Sequence, residues 1–266
     1  MKTLNELMDL RGRDAVITGA MGGLGRAMAA ALAEMGANLV LVDRSGDGFT
    51  ELKDVLSKWN VEITFISCDL EQEGQRADLI TQIRKDRCSL DILVNNAAFV
   101  GTSDLQGWAV PFEQQSVETW KRALEVNLTA VFDLCQGLMP LLKQSAAASV
   151  VNIGSIYGVL GPDWGLYEGT QMSNPAAYGA SKGGLLQLTR WLATTVAPQV
   201  RVNAISPGGI ARQQPGAFVR RYEEKVPLRR MATEADFCGA IAYLASDMSR
   251  YVTGQNLIVD GGWSAW

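Results

Sequence analysis

Seven apolar runs of strand length recur along this 266-residue chain, with helix-length periodic segments between them. The runs are DAVIT (14–18), NLVLVD (38–43), EITFISCD (62–69), DILVNN (91–96), SVVNIGS (149–155), VRVNAIS (200–206) and NLIVD (256–260). Continuous rather than alternating apolar character belongs to strands covered on both faces. Helical patterns fall near 24–36, 48–59, 73–87, 116–144, 175–197 and 233–246. Alternation of this kind, with right-handed crossovers, predicts an α/β fold: a Rossmann-type, doubly wound parallel sheet with helices on both faces. No internal repeat, linker or low-complexity stretch divides the chain, so one domain is expected over 1–266.

Composition narrows the function classes. Lys and Arg number 24 against 28 Asp and Glu, a net charge of −4, so no basic field draws the chain to nucleic acid. The opening MKTLNELMDLRGRD has acidic residues and no continuous apolar core, unlike a signal peptide. The apolar segment AMAAALAEMGANLVLV is broken by Glu34, Gly36 and Asn38, unlike a membrane span. A cytoplasmic protein is expected. Cys68, Cys88, Cys135 and Cys238 are widely separated and the chain has no histidine, so no metal site is expected and the thiols read as free. Two helices, ETWKRALEVNLTAVFDLCQGLMPLL and GGLLQLTRWLATTVA, are apolar around most of their circumference. One stripe suffices to cover a sheet, so a second subunit is expected on the other side, in a homodimer or homotetramer.

The first strand runs into TGAMGGLG (18–25), and a helix follows. Gly19, Gly23 and Gly25 let backbone N–H groups approach a diphosphate, and the helix N-terminus favours its charge. Asp43 ends the second strand, where in such a fold it faces the adenosine ribose. A carboxylate there accepts from both ribose hydroxyls and repels a 2′-phosphate, favouring NAD over NADP, although Arg44 follows at once. Asp43 also reads as a solvated strand-end carboxylate. Asp69 ends the third strand and is placed either at the adenine amino group or at a turn.

At the other end of the expected cleft, Tyr178 and Lys182 stand four residues apart on one helix face. Free tyrosine titrates near ~10, and a neighbouring ammonium favours the phenolate. The pair is thus equipped for general acid–base work that histidine performs elsewhere.

TGxxxGxG at 18–25, NNAA at 95–98, Asn127, Ser155, YGASK at 178–182, SPGG at 206–209 and VDGG at 259–262 occur in that order. The set resembles the single-domain branch of the short-chain dehydrogenase/reductase family over essentially the whole chain. The resemblance implies that Tyr178 exchanges the substrate hydroxyl proton, Lys182 lowers its pKa and binds the nicotinamide ribose, Ser155 polarises the substrate oxygen, and Asn127 holds a relay water. It implies a cofactor cradle of Gly19, Gly23, Leu24, Gly25, Asp43, Asp69, Leu70, Asn96, Ala97, Pro207, Gly208 and Ile210, together with Tyr178 and Lys182. It also implies that Asn95 bonds backbone in the sheet core. Hydride would pass between nicotinamide and a secondary alcohol carbon, with the protein positioning and polarising.

Three departures from the family pattern stand out. Ala98 replaces a glycine, Arg212 stands where a carboxamide-binding threonine is frequent, and VLGPDWGLYEGTQMSNP lengthens the span between Ser155 and Tyr178. That loop offers Trp164, Tyr167, Glu168, Gln171 and Asn174, groups that suit a sugar or sugar derivative. It also resembles that of members in bacterial surface-polysaccharide biosynthesis. Tyr157 and Tyr167, lacking the lysine, are expected in the substrate wall or in packing. Arg212, Arg220, Arg221, Arg229 and Arg230 offer a hold for a phosphate or carboxylate. The same residues also read as a solvated lid whose arginines pair Glu223 and Glu224. An acyl-thioester (3-oxoacyl) reductase using NADPH, and a catalytically idle dinucleotide-binding subunit, are the alternatives. Asp43 argues against the first; the presence of Ser155, Tyr178 and Lys182 argues against the second.

Overall fold

The computed structural model describes residues 1–100 and 105–266. Seven strands form one parallel sheet: β1 (Asp14–Thr18), β2 (Asn38–Asp43), β3 (Ile63–Ser67), β4 (Ile92–Asn95), β5 (Ala148–Ile153), β6 (Val200–Pro207) and β7 (Asn256–Val259). Their spatial order is β3-β2-β1-β4-β5-β6-β7. The chain first builds outward from β1 to β3, then returns to β4 beside β1 and builds the other way. The order reverses between β1 and β4, so a crevice opens beyond their carboxyl ends.

The helices are α1 (Leu4–Met8), α2 (Gly23–Glu34), α3 (Phe49–Leu56), α4 (Glu73–Asp86), α5 (Val117–Leu124), α6 (Ala130–Leu142), α7 (Ala176–Val196), α8 (Gly216–Lys225) and α9 (Cys238–Ala245). Two apolar layers explain the unbroken apolar strands. Val16, Leu93 and Val150 join Leu134, Leu138 and Leu185 on one face of the sheet. Ile17, Leu41 and Val151 join Met28, Leu32, Phe237 and Ile241 on the other. Neighbouring residues of β1, β2 and β5 thus enter opposite cores, as a period of two requires.

The long helix expected over 116–144 is interrupted. α5 and α6 are separated by a π-helical turn, Glu125–Thr129, closed by the Ala130 N–H on the Glu125 carbonyl. Asn127 lies in this wide turn and is fully buried. Among the described residues, no helix is long and apolar enough to cross a membrane.

Candidate active site

The glycine-rich turn is tied to the sheet by side chains. Thr18 Oγ1 accepts from the Asn96 and Ala97 N–H groups at 3.0 and 3.1 Å, and Asn96 Nδ2 donates to the Thr18 and Gly19 carbonyls, both at 2.9 Å. Gly19 has φ +63°, and a Cβ there would stand 2.7 Å from Ala97 Cα. A Cβ on Gly25 would overlap the Gly19 carbonyl. Only glycine fits these two positions, and together they keep the α2 N-terminus open to a ligand.

Asn95 departs from its expected backbone role. Its Nδ2 donates to Asn152 Oδ1 at 2.8 Å, and Asn152 Nδ2 donates to Thr189 Oγ1 at 2.9 Å. This buried chain pins β4 to β5 and β5 to α7. The backbone bonding expected of Asn95 is done by its neighbour Asn96.

Asp43 reaches the turn from the end of β2. Its Oδ2 accepts from the Met21 N–H at 2.9 Å and its Oδ1 from the Arg44 N–H at 2.8 Å. One carboxylate therefore fixes the entry of the turn and the exit of the strand. Asp69 caps a local turn, its Oδ1 accepting from the Glu71 N–H at 3.0 Å.

Ser155 follows β5 and is buried; its hydroxyl accepts from the Tyr157 N–H at 3.2 Å. Tyr178 lies in the first turn of α7, where the Ala176 N–H is taken by Gln115 Oε1 and the Tyr178 N–H by the Pro175 carbonyl, both at 3.0 Å. Burial raises its pKa, while the neighbouring Ser155 hydroxyl pulls it down. Lys182, one turn on, is 2 % exposed and donates from Nζ to the Ile153 carbonyl at 2.7 Å. Burial lowers its pKa to about 8. The side chain of Asn127 is fully engaged: Oδ1 accepts from the Phe99 N–H at 2.6 Å, and Nδ2 donates to the Phe99 carbonyl and to Ser181 Oγ at 3.3 and 3.0 Å.

The glycine-rich turn, Asp43, Asp69, Ser155, Tyr178 and Lys182 meet in one cleft of about 1080 Å³, whereas Asn95 and Asn127 lie outside its lining. Gly19, Gly23, Leu24, Gly25, Asp43, Asp69, Leu70, Asn96, Ala97, Ser155, Tyr178, Lys182, Pro207, Gly208, Ile210 and Arg212 line it. The cleft is elongated, with Asp43 and Asp69 at one end and Ser155, Tyr178 and Lys182 at the other. The glycine cradle and these two ends fit an extended dinucleotide.

Sequence reasoning missed two supports. The Tyr222 hydroxyl accepts from the Gly209 N–H at 2.6 Å and holds the Pro207–Gly209 turn in place. Met172 lines both this cleft and an adjoining cavity of about 670 Å³. No local motif marks either residue, because each is brought in by tertiary packing.

The expected substrate residues disperse. Trp164 is exposed and lines the adjoining cavity with Leu160, Pro162, Gln171 and Asn174. Tyr167 is buried behind the wall, its ring 5.5 Å from Phe218 and its hydroxyl 2.5 Å from that of Tyr157. Arg221 donates to the Leu166 and Glu168 carbonyls and Lys225 pairs with Asp163, so α8 anchors the long loop. Arg230 pairs with Asp236 rather than with Glu223 or Glu224. Arg212 pairs with Glu234 on the cofactor side of the cleft.

A glycine-rich turn at the sheet's reversal and a Ser–Tyr–Lys group at the far end of the same cleft define a dinucleotide-binding oxidoreductase. Residues 19–264 match the family model described as Enoyl-(Acyl carrier protein) reductase. The cis-4-hydroxycyclohexanecarboxylate dehydrogenase of Sinomonas cyclohexanicum is 34% identical over 260 residues, covering 95% of this chain and 97% of that one. A "Probable galactose dehydrogenase" of Rhizobium meliloti is 33% identical, covering 97% of each chain. A gluconate 5-dehydrogenase from Burkholderia cenocepacia, solved with NADP and tartrate, superposes with a TM-score of 0.86 at 26% identity, covering 99% of this chain and 100% of that one. The chain belongs to the short-chain dehydrogenase/reductase family.

Proposed function

We propose that the protein interconverts a secondary alcohol and a ketone with NAD, and that its substrate is a small hydroxylated compound of sugar or sugar-acid type. The observation that carries the chemistry is the convergence of Ser155, Tyr178 and Lys182 on one end of a cleft whose other end holds the glycine cradle. The nicotinamide, when bound, supplies or accepts the hydride. The protein's own part is proton transfer and orientation. Ser155 donates to the substrate oxygen and holds it beside the phenol. Tyr178 takes the hydroxyl proton in oxidation and returns it in reduction. Lys182, fixed on the Ile153 carbonyl, keeps a positive charge near the phenol and offers its remaining N–H groups to the ribose. The Asn127 side-chain amide is spent on Phe99 and Ser181, so it orders the chain behind Lys182 rather than holding a relay water itself.

The choice of NAD rests on Asp43, already oriented by the Met21 and Arg44 N–H groups. A 2′-phosphate at that end meets a carboxylate. The substrate class draws on the relatives, whose named substrates are a hydroxycyclohexane acid and galactose. The adjoining cavity, with Trp164 beside Gln171, offers a ring face and an amide for such a compound. The cleft and its apolar neighbour together also have room for an acyl chain, which keeps a 3-oxoacyl thioester reductase as the second reading.

Calorimetric titration with NAD⁺ and NADP⁺ tests the cofactor. Turnover of sugars, sugar acids, cyclic alcohols and a 3-oxoacyl thioester, followed at the nicotinamide absorbance, tests the substrate. Preference for the thioester with NADPH would replace the proposed reading by the second. Binding of neither cofactor would remove both.

A further inference from the structure

Arg212 and Glu234 meet directly above the glycine-rich turn. Their side chains form an ion pair of 2.5 Å. A Cβ placed on Gly23 would stand 2.5 Å from Glu234 Oε1 and 3.2 Å from Arg212 Nη2. Gly23 is the first residue of α2. The pair therefore occupies the space over the helix N-terminus where the backbone N–H groups await an anion. Arg212 is held there by its own backbone: its N–H donates to Gln214 Oε1 at 2.6 Å, and Gln214 Nε2 donates to the Ile210 carbonyl at 2.8 Å. Glu234 opens a short 3-10 turn, Glu234–Phe237, before α9.

An ion pair at this place has an unequal relation to a diphosphate. The guanidinium complements it, and the carboxylate opposes it. The turn itself, TGAMGGLG, supplies no cation. We infer that Arg212 is the cation that clamps the cofactor diphosphate, and that Glu234, its ion-pair partner, competes with the diphosphate for it. This inference rests on the proposed dinucleotide function and adds to it a specific binding residue and its internal competitor. Binding exchanges the Glu234 carboxylate for the diphosphate on a half-exposed guanidinium whose Nη1 also donates to the Ala211 carbonyl at 2.8 Å. Two anions then share the space over Gly23, and Glu234 must turn outward.

The clamp is tested with two probes, NAD⁺ and ADP-ribose, which share the diphosphate but not the nicotinamide. Arg212→Met is expected to weaken both alike, by about tenfold, the scale of one charge-assisted hydrogen bond. It should also flatten the dependence of their affinity on salt. Glu234→Gln is expected to tighten both by about threefold, the scale of a surface ion pair. Arg212→Lys, which keeps the charge, should bind more tightly than Arg212→Met. Circular dichroism should show all three variants folded, since both side chains are partly exposed.

Loss of NAD⁺ affinity in Arg212→Met with ADP-ribose unchanged would move the residue to the nicotinamide end and overturn the clamp. An unchanged or weakened Glu234→Gln would overturn the competition. Wild-type protein that binds neither probe would instead remove the dinucleotide function beneath the inference.

Discussion

The Lys182 ammonium lies 2.7 Å from the Ile153 carbonyl and 5.9 Å from the centre of the Tyr178 ring. The lysine is thus fixed by the last residue of β5, one turn below the phenol. It acts on Tyr178 as a positioned charge rather than as a hydrogen-bond partner. Burial lowers its pKa to about 8, so this charge is present at neutral pH and is lost as pH rises. Tyr178, raised by burial, stays neutral over the same range, as the proposed acid for ketone reduction must. The expected profile of kcat/KM for reduction is level below pH 7 and falls as pH rises through about 8. A stopped series of initial rates across pH 6 to 10 checks it. A reduction rate that climbs through pH 8 would remove the charge-supporting role of Lys182.

The same shift has a stability consequence. Folded Lys182 releases its proton near 8, against an ordinary value of 10.5. Between those values the unfolded chain binds more protons, so stability contributed at this site rises with pH. The span corresponds to about 3 kcal/mol. Lys182→Met should abolish turnover and gain most relative to wild type near pH 7, with the difference shrinking toward pH 10.5 and above. Paired denaturant melts at several pH values read this difference free of other titrating groups.

Much of this arrangement is visible in the residues themselves. The starts of β1, β2, β6 and β7 fall where the apolar runs begin, because buried parallel strands leave an unbroken signal bounded by turns. The glycine-rich turn and the Tyr178–Lys182 spacing are equally local. What the sequence hides is what distant elements impose. Asn127 lies in a π turn that helical periodicity does not distinguish from α-helix. Tyr222 reaches Gly209 only because α8 folds back onto the turn that follows β6. Tyr167 looks like a loop aromatic, yet Phe218 and Tyr157 draw it into a packed layer. Among the arginines of 210–230, charge alone does not tell a substrate hold from a loop anchor such as Arg221.

Ser155 and Tyr178 should separate in kinetics. Tyr178→Phe removes the proton donor and is expected to lower kcat by at least about 1,000-fold with NAD⁺ affinity little changed. Ser155→Ala keeps the phenol but removes the hydroxyl that orients substrate, and should lower kcat by about 100-fold. Its loss also frees the Tyr157 N–H, for which circular dichroism and melting serve as the structural control. Residual activity above these levels would place the proton transfer elsewhere.

Asp43 should set the cofactor preference. Asp43→Asn keeps an acceptor for the Met21 N–H while removing the charge. Relative to wild type, NADP⁺ affinity is expected to gain by about tenfold against NAD⁺, one unit charge at close range being of that order. Calorimetric titration of both cofactors into both proteins reads the change. An unchanged ratio would assign cofactor choice to Arg44.

The last expectation concerns the face formed by α5, α6 and α7. Leu134, Leu138, Leu185 and Leu192 turn inward to the sheet, which accounts for much of the apolar content of these helices. Trp120, Phe132 and Trp191 remain 38%, 42% and 55% exposed. Large aromatic groups lose most when left in water and suit burial by a symmetry mate. Wild-type protein at micromolar concentration is therefore expected to scatter light as a dimer or tetramer. Trp191→Glu combined with Phe132→Glu should reduce the mass while leaving the far-ultraviolet spectrum unchanged, because neither side chain belongs to the core. A wild-type monomer would mean that these aromatics stay in water. An oligomer that survives both substitutions would place the interface on another face.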